Sequence, residues 1–194
     1  MSRPLNVVVV NGSPNVASKT MGLVELITSA LDAKLPIEVR RIDVYRLGEG
    51  FTSARERADV SDDVEEQLAA AETADVLIAA SPVFRASYPG MFKHFFDLVG
   101  QYALANKPVI LAATGGSDRH AMIIDHELRP LFAFFQANTI PVGFYANAGD
   151  FDGTLVLNAE VYSRIQIGLD DVIEQFRAIA DDAPARSELS PLGH

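Results

Sequence analysis

The chain has 194 residues, a formal net charge of −10 and no cysteine. The lack of cysteine excludes disulfides, thiolate catalysis and cysteine-ligated metals. The negative charge disfavours binding to nucleic acid and to anionic membrane surfaces, so we expect neither as a partner. The N-terminus shows no signal-peptide pattern, and no apolar run approaches the roughly 20 residues that span a bilayer, so we expect a cytoplasmic protein.

The length suits a single domain with a full core, which we place at residues 1–182. The remaining residues, 183–194, carry prolines and no periodicity, and we interpret them as a flexible C-terminal tail.

Apolar patterns along the chain predict five strands and five helices. The strands are expected at 7–10, 37–42, 75–81, 108–114 and 139–145, and the helices at 20–34, 62–73, 89–103, 121–137 and 159–180. Their alternation favours an α/β fold, a parallel sheet with helices on both faces, and 46–60 is interpreted as a long connection. Ligands of such sheets bind beyond the carboxyl ends of the strands, where the strand order reverses.

The first strand stops at Asn-Gly-Ser-Pro, residues 11–14, shortly before a helix start. Unpaired N–H groups and the macrodipole make a helix start a phosphate site, to which Ser13, Ser18 and Thr20 add hydroxyls. A dinucleotide fingerprint would need two further glycines, and Asp43 follows by about 30 residues instead of about 20. Simple capping of the helix by Ser18 stays open as an alternative.

Two further loops follow the third and fourth strands. In the run Ser-Pro-Val-Phe-Arg-Ala-Ser-Tyr-Pro-Gly, residues 81–90, Pro82 stiffens the exit from the sheet. Val83 and Phe84 are expected to offer free backbone N–H groups to the rim of a flat heteroaromatic ring. The run Thr-Gly-Gly-Ser, residues 114–117, allows a close approach of backbone to such a ring. The alternative for the loop at 81–90 is an ordinary loop with an aromatic plug. The alternative for the loop at 114–117 is a flexible turn.

These three loops, and the segment Asp-His-Glu-Leu-Arg-Pro-Leu-Phe at 125–132, resemble the NAD(P)H-dependent FMN reductase family. The resemblance extends over nearly the whole chain. It is strongest to the reductases of the methanesulfonate and alkanesulfonate two-component monooxygenases. It implies a flavodoxin-like three-layer sandwich with a five-stranded parallel sheet in the order 2-1-3-4-5.

The resemblance also implies the FMN contacts. The phosphate would lie at Ser13, Ser18 and Thr20. The isoalloxazine ring would lie between two sets of residues, Pro82, Val83, Phe84 and Arg85 on one side and Thr114, Gly115, Gly116 and Ser117 on the other. The family often has arginine where this chain has Asn15, and we expect Lys19 to supply the charge instead.

The implied activity is hydride transfer from NAD(P)H to FMN, which is then supplied in reduced form to a partner flavin-dependent monooxygenase. No acid or base side chain is obligatory for this step, because the flavin carries the chemistry. Two other functions stay open: a reductase of quinones or azo compounds that keeps its FMN bound, and a flavodoxin-like electron carrier.

The histidines and carboxylates between 118 and 127 do not predict a metal site. His120 and His126 are six residues apart, a spacing that does not place them on one helix face. For His126 the resemblance implies a π-bulge at a subunit interface, the alternative being an ordinary surface histidine.

Aromatic residues crowd two successive predicted helices, at 92–96 and 132–135. A helix that is apolar on several sides needs more than one burying surface, so we expect a homodimer or homotetramer, with core packing alone as the alternative. Arg85 and Arg119 are candidates for the nicotinamide phosphates or are plain surface charges.

Overall fold

The computed structural model describes residues 3–182, so the tail expected at 183–194 lies outside the described residues. A parallel sheet forms the middle layer, in the order β2-β1-β3-β4-β5. The flavodoxin-like fold expected from the sequence is confirmed. The strands are β1 (Leu5–Asn11), β2 (Ile37–Asp43), β3 (Val76–Pro82), β4 (Pro108–Gly115), β5 (Asn138–Thr139) and β6 (Phe144–Asn147).

Helices cover both faces of the sheet. They are α1 (Lys19–Asp32), α2 (Glu49–Thr52), α3 (Asp62–Thr73), α4 (Gly90–Leu98), a π-helix (Ile124–Leu128), α5 (Arg129–Phe134), α6 (Ala159–Asp170) and α7 (Ile173–Asp182). In β1, Val7 and Val9 pack with α1, α6 and α7, whereas Val8 and Val10 pack with α3, α4 and α5. The continuously apolar run therefore fits a strand that is buried on both faces.

The fifth strand is the main departure from the predicted elements. The segment expected at 139–145 forms two short strands, β5 and β6, which both pair with β4. Pro141 lies in the gap between them and has no N–H to donate to a ladder. Arg129 fills the gap with hydrogen bonds to the Ile140 and Pro141 carbonyls, both at 3.2 Å, and Asp125 holds its guanidinium at 2.9 Å.

Smaller differences concern helix ends and a missed hairpin. The helix expected at 89–103 ends at Leu98, and the one expected at 159–180 is divided between α6 and α7. Strands β7 (Phe151–Asp152) and β8 (Leu155–Val156) form a hairpin whose tip packs against Gly22 of α1. Between residues 3 and 182, no helix is long and apolar enough to cross a membrane.

Candidate functional site

The three loops expected to form the site meet at one edge of the sheet. They follow β1, β3 and β4, which are neighbours, and the strand order reverses between β1 and β3. Direct hydrogen bonds connect them: Gly12 N–H donates to the Ala80 carbonyl at 2.8 Å, and Val83 N–H donates to the Thr114 carbonyl at 2.8 Å. The sheet therefore brings the first, second and third loops together at its ligand-binding edge.

The first loop is organised by Asn11, a residue to which the sequence analysis gave no role. Its buried side chain accepts a hydrogen bond from Ser13 N–H at 3.0 Å and donates to Asp43 at 2.8 Å. An asparagine that bonds to the backbone two residues ahead forms a local turn. This tendency of asparagine is the sequence signal from which the role of Asn11 could have been predicted. Because Asp43 also accepts two hydrogen bonds from Arg41, its carboxylate is engaged within the protein, which disfavours a ribose-binding role.

The start of α1 presents a row of unpaired donors. Within residues 3–182, no protein acceptor is bonded to the backbone N–H groups of residues 16–20. Ser18 caps the helix by accepting from Met21 N–H at 3.2 Å, so its own hydroxyl hydrogen is still available. Ser13 Oγ accepts from Asn15 N–H at 3.3 Å and is likewise able to donate. Capping and anion binding are thus compatible at this helix start.

Thr20 links the first loop to the third. Its hydroxyl lies 2.7 Å from that of Thr114, and both residues are buried. Asn15 is exposed. Lys19 donates to the Ala148 carbonyl at 3.0 Å and lies 5.7 Å from the centre of the Phe151 ring. The one cationic side chain expected to serve the phosphate is therefore hydrogen-bonded to the segment between β6 and β7.

The second loop contradicts one expectation. Val83 N–H is bonded to Thr114, and Phe84 N–H donates to the Ser87 carbonyl at 2.7 Å, so neither is free. Ser87 N–H returns a bond to Phe84 at 3.1 Å, which closes a tight turn. Arg85 and Ala86, the two central residues, have φ angles of 51° and 71°, as in a type I′ turn. Among residues 83–87, all of which the structure describes, the backbone N–H groups without an acceptor are those of Arg85 and Ala86.

The two glycines of the third loop have different surroundings: side chains crowd Gly115, whereas Gly116 faces open space. A Cβ on Gly115 would collide with the Tyr145 hydroxyl and lie 2.9 Å from the Cβ of His120. A Cβ on Gly116 would enter nearly open space, its nearest neighbour being a ring carbon of His120 at 3.8 Å. The open side of Gly116 therefore leaves room for a flat ligand.

Tyr145 and His120 belong to this loop's surroundings, although the sequence analysis assigned neither to the site. The Tyr145 hydroxyl donates to the Ser117 carbonyl at 2.6 Å. Burial, and then the charges of Asp118 and Asp150, raise the pKa of Tyr145 to about 12. His120 Nδ1 is buried and has no hydrogen-bond partner among the described residues. A buried nitrogen of this kind indicates a missing polar neighbour.

The π-helix expected from the resemblance is present and spans Ile124–Leu128. His126 is exposed on it. Glu127 accepts a hydrogen bond from the Ser87 hydroxyl at 2.8 Å, which connects the π-helix to the second loop.

A cavity of 840 Å³ lies on the far side of Tyr145, between the π-helix and α6. It contains none of the residues of the first and second loops. Its walls carry more carboxylates than guanidinium groups, which disfavours an anionic ligand; the charged residues are Asp118, Asp125, Asp150, Glu160, Arg129 and Arg164. Residues 3–182 contain no group of three side chains able to hold a metal ion.

The fold and the three loops define a flavodoxin-like α/β protein whose loops after β1, β3 and β4 meet at one edge of the sheet. The family model described as NADPH-dependent FMN reductase matches residues 5–152, and the chain belongs to this family. It is 45% identical over 174 residues to the NADH-dependent FMN reductase SfnF of Pseudomonas putida, which covers 89% of this chain and 94% of that protein.

Two further relatives agree with this assignment. An FMN reductase (NADPH) of Pseudomonas aeruginosa is 43% identical over 169 residues, or 86% of this chain and 90% of that protein. An oxidoreductase from Corynebacterium diphtheriae, a solved structure, matches with a TM-score of 0.76 and 30% identity, over 92% of this chain and 98% of that one.

Proposed function

We propose that the protein is an NAD(P)H:FMN oxidoreductase that supplies reduced FMN to a flavin-dependent monooxygenase of the sulfonate type. The observation that carries the proposal is the connection of the three loops around one edge. The Thr20–Thr114 hydroxyl pair connects the row of unpaired amides at 16–20 to the loop that contains Gly116, whose Cβ position is nearly open. This arrangement fits a ligand with one phosphate and one flat ring.

The residues present fit FMN. The phosphate is assigned to the amides at the start of α1 and to Ser13, Ser18 and Thr20, with Asn15 and Lys19 at its margin. The ring is assigned to the slot between the second and third loops, bordered by Pro82, Val83, Phe84, Arg85, Thr114, Gly115, Gly116 and Ser117.

When bound, FMN supplies the hydride-accepting centre of the reaction. The chain's part is to hold and orient the two rings, which converts an encounter into a unimolecular step. The free N–H groups of Arg85 and Ala86 can donate to ring acceptors without introducing formal charge. Phe84, 45% exposed, offers an apolar surface beside the same edge. No proton-transferring side chain is required for the hydride step.

The remaining assignments are also part of the proposal. The single catalytic domain is assigned to residues 1–182. A reduced nicotinamide donor implies the cytoplasm. A homodimer or homotetramer is supported by Phe134, which is 63% exposed, while Phe132 and Phe135 are buried in the core. His126, exposed on the π-helix, is placed at that interface.

The test is reduction of excess FMN by catalytic amounts of protein under nitrogen, followed as loss of flavin absorbance with NADH and with NADPH. We expect many turnovers with at least one of the two donors. Loss of turnover is expected in Gly116→Val, whose side chain enters the open space of the slot, whereas Ala178→Val, at an exposed position on α7, serves as the matched control.

Other outcomes would favour the alternatives or overturn the proposal. FMN that copurifies and does not exchange would indicate a quinone or azo reductase. A long-lived semiquinone during stepwise reduction would indicate an electron carrier. No bleaching with either nicotinamide would refute the proposal.

A further inference from the structure

The turn Phe84–Ser87 has a conformation that its own residues disfavour. Arg85 and Ala86 both have positive φ, which residues with a Cβ adopt rarely and at a cost in free energy. In this conformation two hydrogen bonds between Phe84 and Ser87 close the turn, and the Arg85 and Ala86 amides lie at its tip without an acceptor. A contact from outside the turn is therefore needed to keep it populated.

Glu127 provides such a contact. Its carboxylate accepts the Ser87 hydroxyl at 2.8 Å, across 40 residues of sequence, in a partly buried setting. A hydrogen bond to a carboxylate is stronger than one between neutral groups. The bond involves Ser87, the last residue of the turn. The backbone N–H of Ser87 donates to Phe84, and its carbonyl accepts from Phe84.

The segment that carries Glu127 is itself held firmly. Ile124 and Leu128, at the two ends of the π-helix, are buried in the core. Asp125 is bonded to Arg129, whose guanidinium fills the gap in the fifth strand. A π-helix changes the register of the side chains that it contains. Glu127 thus projects toward the second loop from a segment that is anchored on both sides.

We propose that Glu127 is a positioning residue for FMN: through Ser87 it holds the left-handed turn in which the Arg85 and Ala86 amides can meet the flavin ring. The inference rests on the proposed function, since it concerns the same ring slot. Without the tether, the turn relaxes toward ordinary φ values, and FMN binding must first restore it. The apparent dissociation constant then rises by the inverse of the fraction of molecules that have the competent turn.

The test is FMN affinity, measured by quenching of flavin fluorescence on titration. Glu127→Ala and Ser87→Ala should each raise the dissociation constant about tenfold, the effect expected for a lost hydrogen bond to a charged group. The double variant should be no worse than either single variant, because both remove the same bond. Glu127→Gln should restore affinity to within about threefold of wild type, since its amide oxygen can accept the same bond.

A second comparison separates positioning from general damage. Ala86→Gly, placed in the Glu127→Ala background, should recover much of the lost affinity, because glycine adopts positive φ without a steric penalty. Glu66→Ala removes an equal charge from a surface glutamate paired with Arg40 and should leave FMN affinity unchanged. Tm should be nearly the same in all these variants, since the Ser87–Glu127 bond is only partly buried and involves no core residue.

The outcomes are distinguishable. Wild-type affinity in Glu127→Ala and Ser87→Ala would overturn the inference while leaving the proposed function intact, as would effects that multiply in the double variant. Failure of Glu127→Gln to restore binding would also overturn it. If the wild-type protein does not bind FMN at all, the proposed function and this inference fail together.

Discussion

The hydroxyl pair Thr20–Thr114 offers a quantitative test of how the site is assembled. The two oxygens lie 2.7 Å apart, and the residues are 2% and 6% exposed. Thr20 belongs to the helix start after the first loop and Thr114 to the third loop, and 94 residues of sequence separate them. Replacing either threonine by valine preserves the side-chain shape, removes one hydroxyl and strands the other in a buried site.

The expected magnitudes follow from this burial. Each single valine variant should lose about 2 kcal/mol of unfolding free energy, because a buried hydroxyl without a partner retains its desolvation cost. The double variant Thr20→Val/Thr114→Val should lie within about 1 kcal/mol of wild type, since two methyl groups then face each other. The coupling energy between the two positions is therefore about 3 kcal/mol, near the upper end for residues in contact.

Urea unfolding of the flavin-free protein, with comparable m values in the wild type and the three variants, measures this coupling. Additive losses within about 0.5 kcal/mol would refute the reasoning, since they would mean that each hydroxyl acts independently. The double variant should nevertheless bind FMN more weakly than wild type, because Thr20 is assigned to the phosphate. Normal FMN affinity in the double variant would contradict that assignment.

Three further changes test other parts of the site. Gly115→Ala should lower stability by about 2 kcal/mol, measured as Tm, because the new Cβ displaces the Tyr145 hydroxyl and His120; an unchanged Tm would contradict the crowding. In wild type, the stability that comes from keeping Tyr145 neutral should be complete below about pH 10 and decline as pH rises through about 12, its raised folded-state pKa. Tyr145→Phe should lack that decline in alkaline unfolding curves. Asn15→Arg should tighten FMN binding about tenfold by adding a charge-assisted bond to the phosphate, and an unchanged titration would place the phosphate elsewhere.

The fold was largely predictable, because its signals are local. Runs of valine, isoleucine and alanine identify the buried strands, and their alternation with helices determines the parallel sheet. The gap in the fifth strand was signalled by Pro141 and Gly143 within a β-branched run, and the hairpin by Asp152-Gly153, where Gly153 has a φ of 59°. The two residues that separate α6 from α7, Asp171 and Val172, are neither glycine nor proline.

The site was predictable in its residue types and less so in its contacts. Serine and threonine at a helix start indicate a phosphate loop, but the Thr20–Thr114 bond depends on sheet register across the chain. The sequence analysis expected free amides at Val83 and Phe84, whereas the structure has them at Arg85 and Ala86. This difference could not be predicted, because nothing in an Arg-Ala pair indicates positive φ. Tyr145 and His120 act through proximity to Gly115, which only the folded chain reveals.

The electrostatics of the phosphate loop suit a flavin that is released after reduction. An FMN phosphate would meet neutral amides and hydroxyls, since Asn15 stands where the family often has arginine and Lys19 is bonded to the Ala148 carbonyl. The net charge of −10 opposes any anion at long range, more strongly at low salt. Reduction adds negative charge to the flavin without adding a cation to the loop. Under the proposed function, binding by dipoles alone would therefore give the reduced form no additional reason to stay, which suits transfer to a partner monooxygenase.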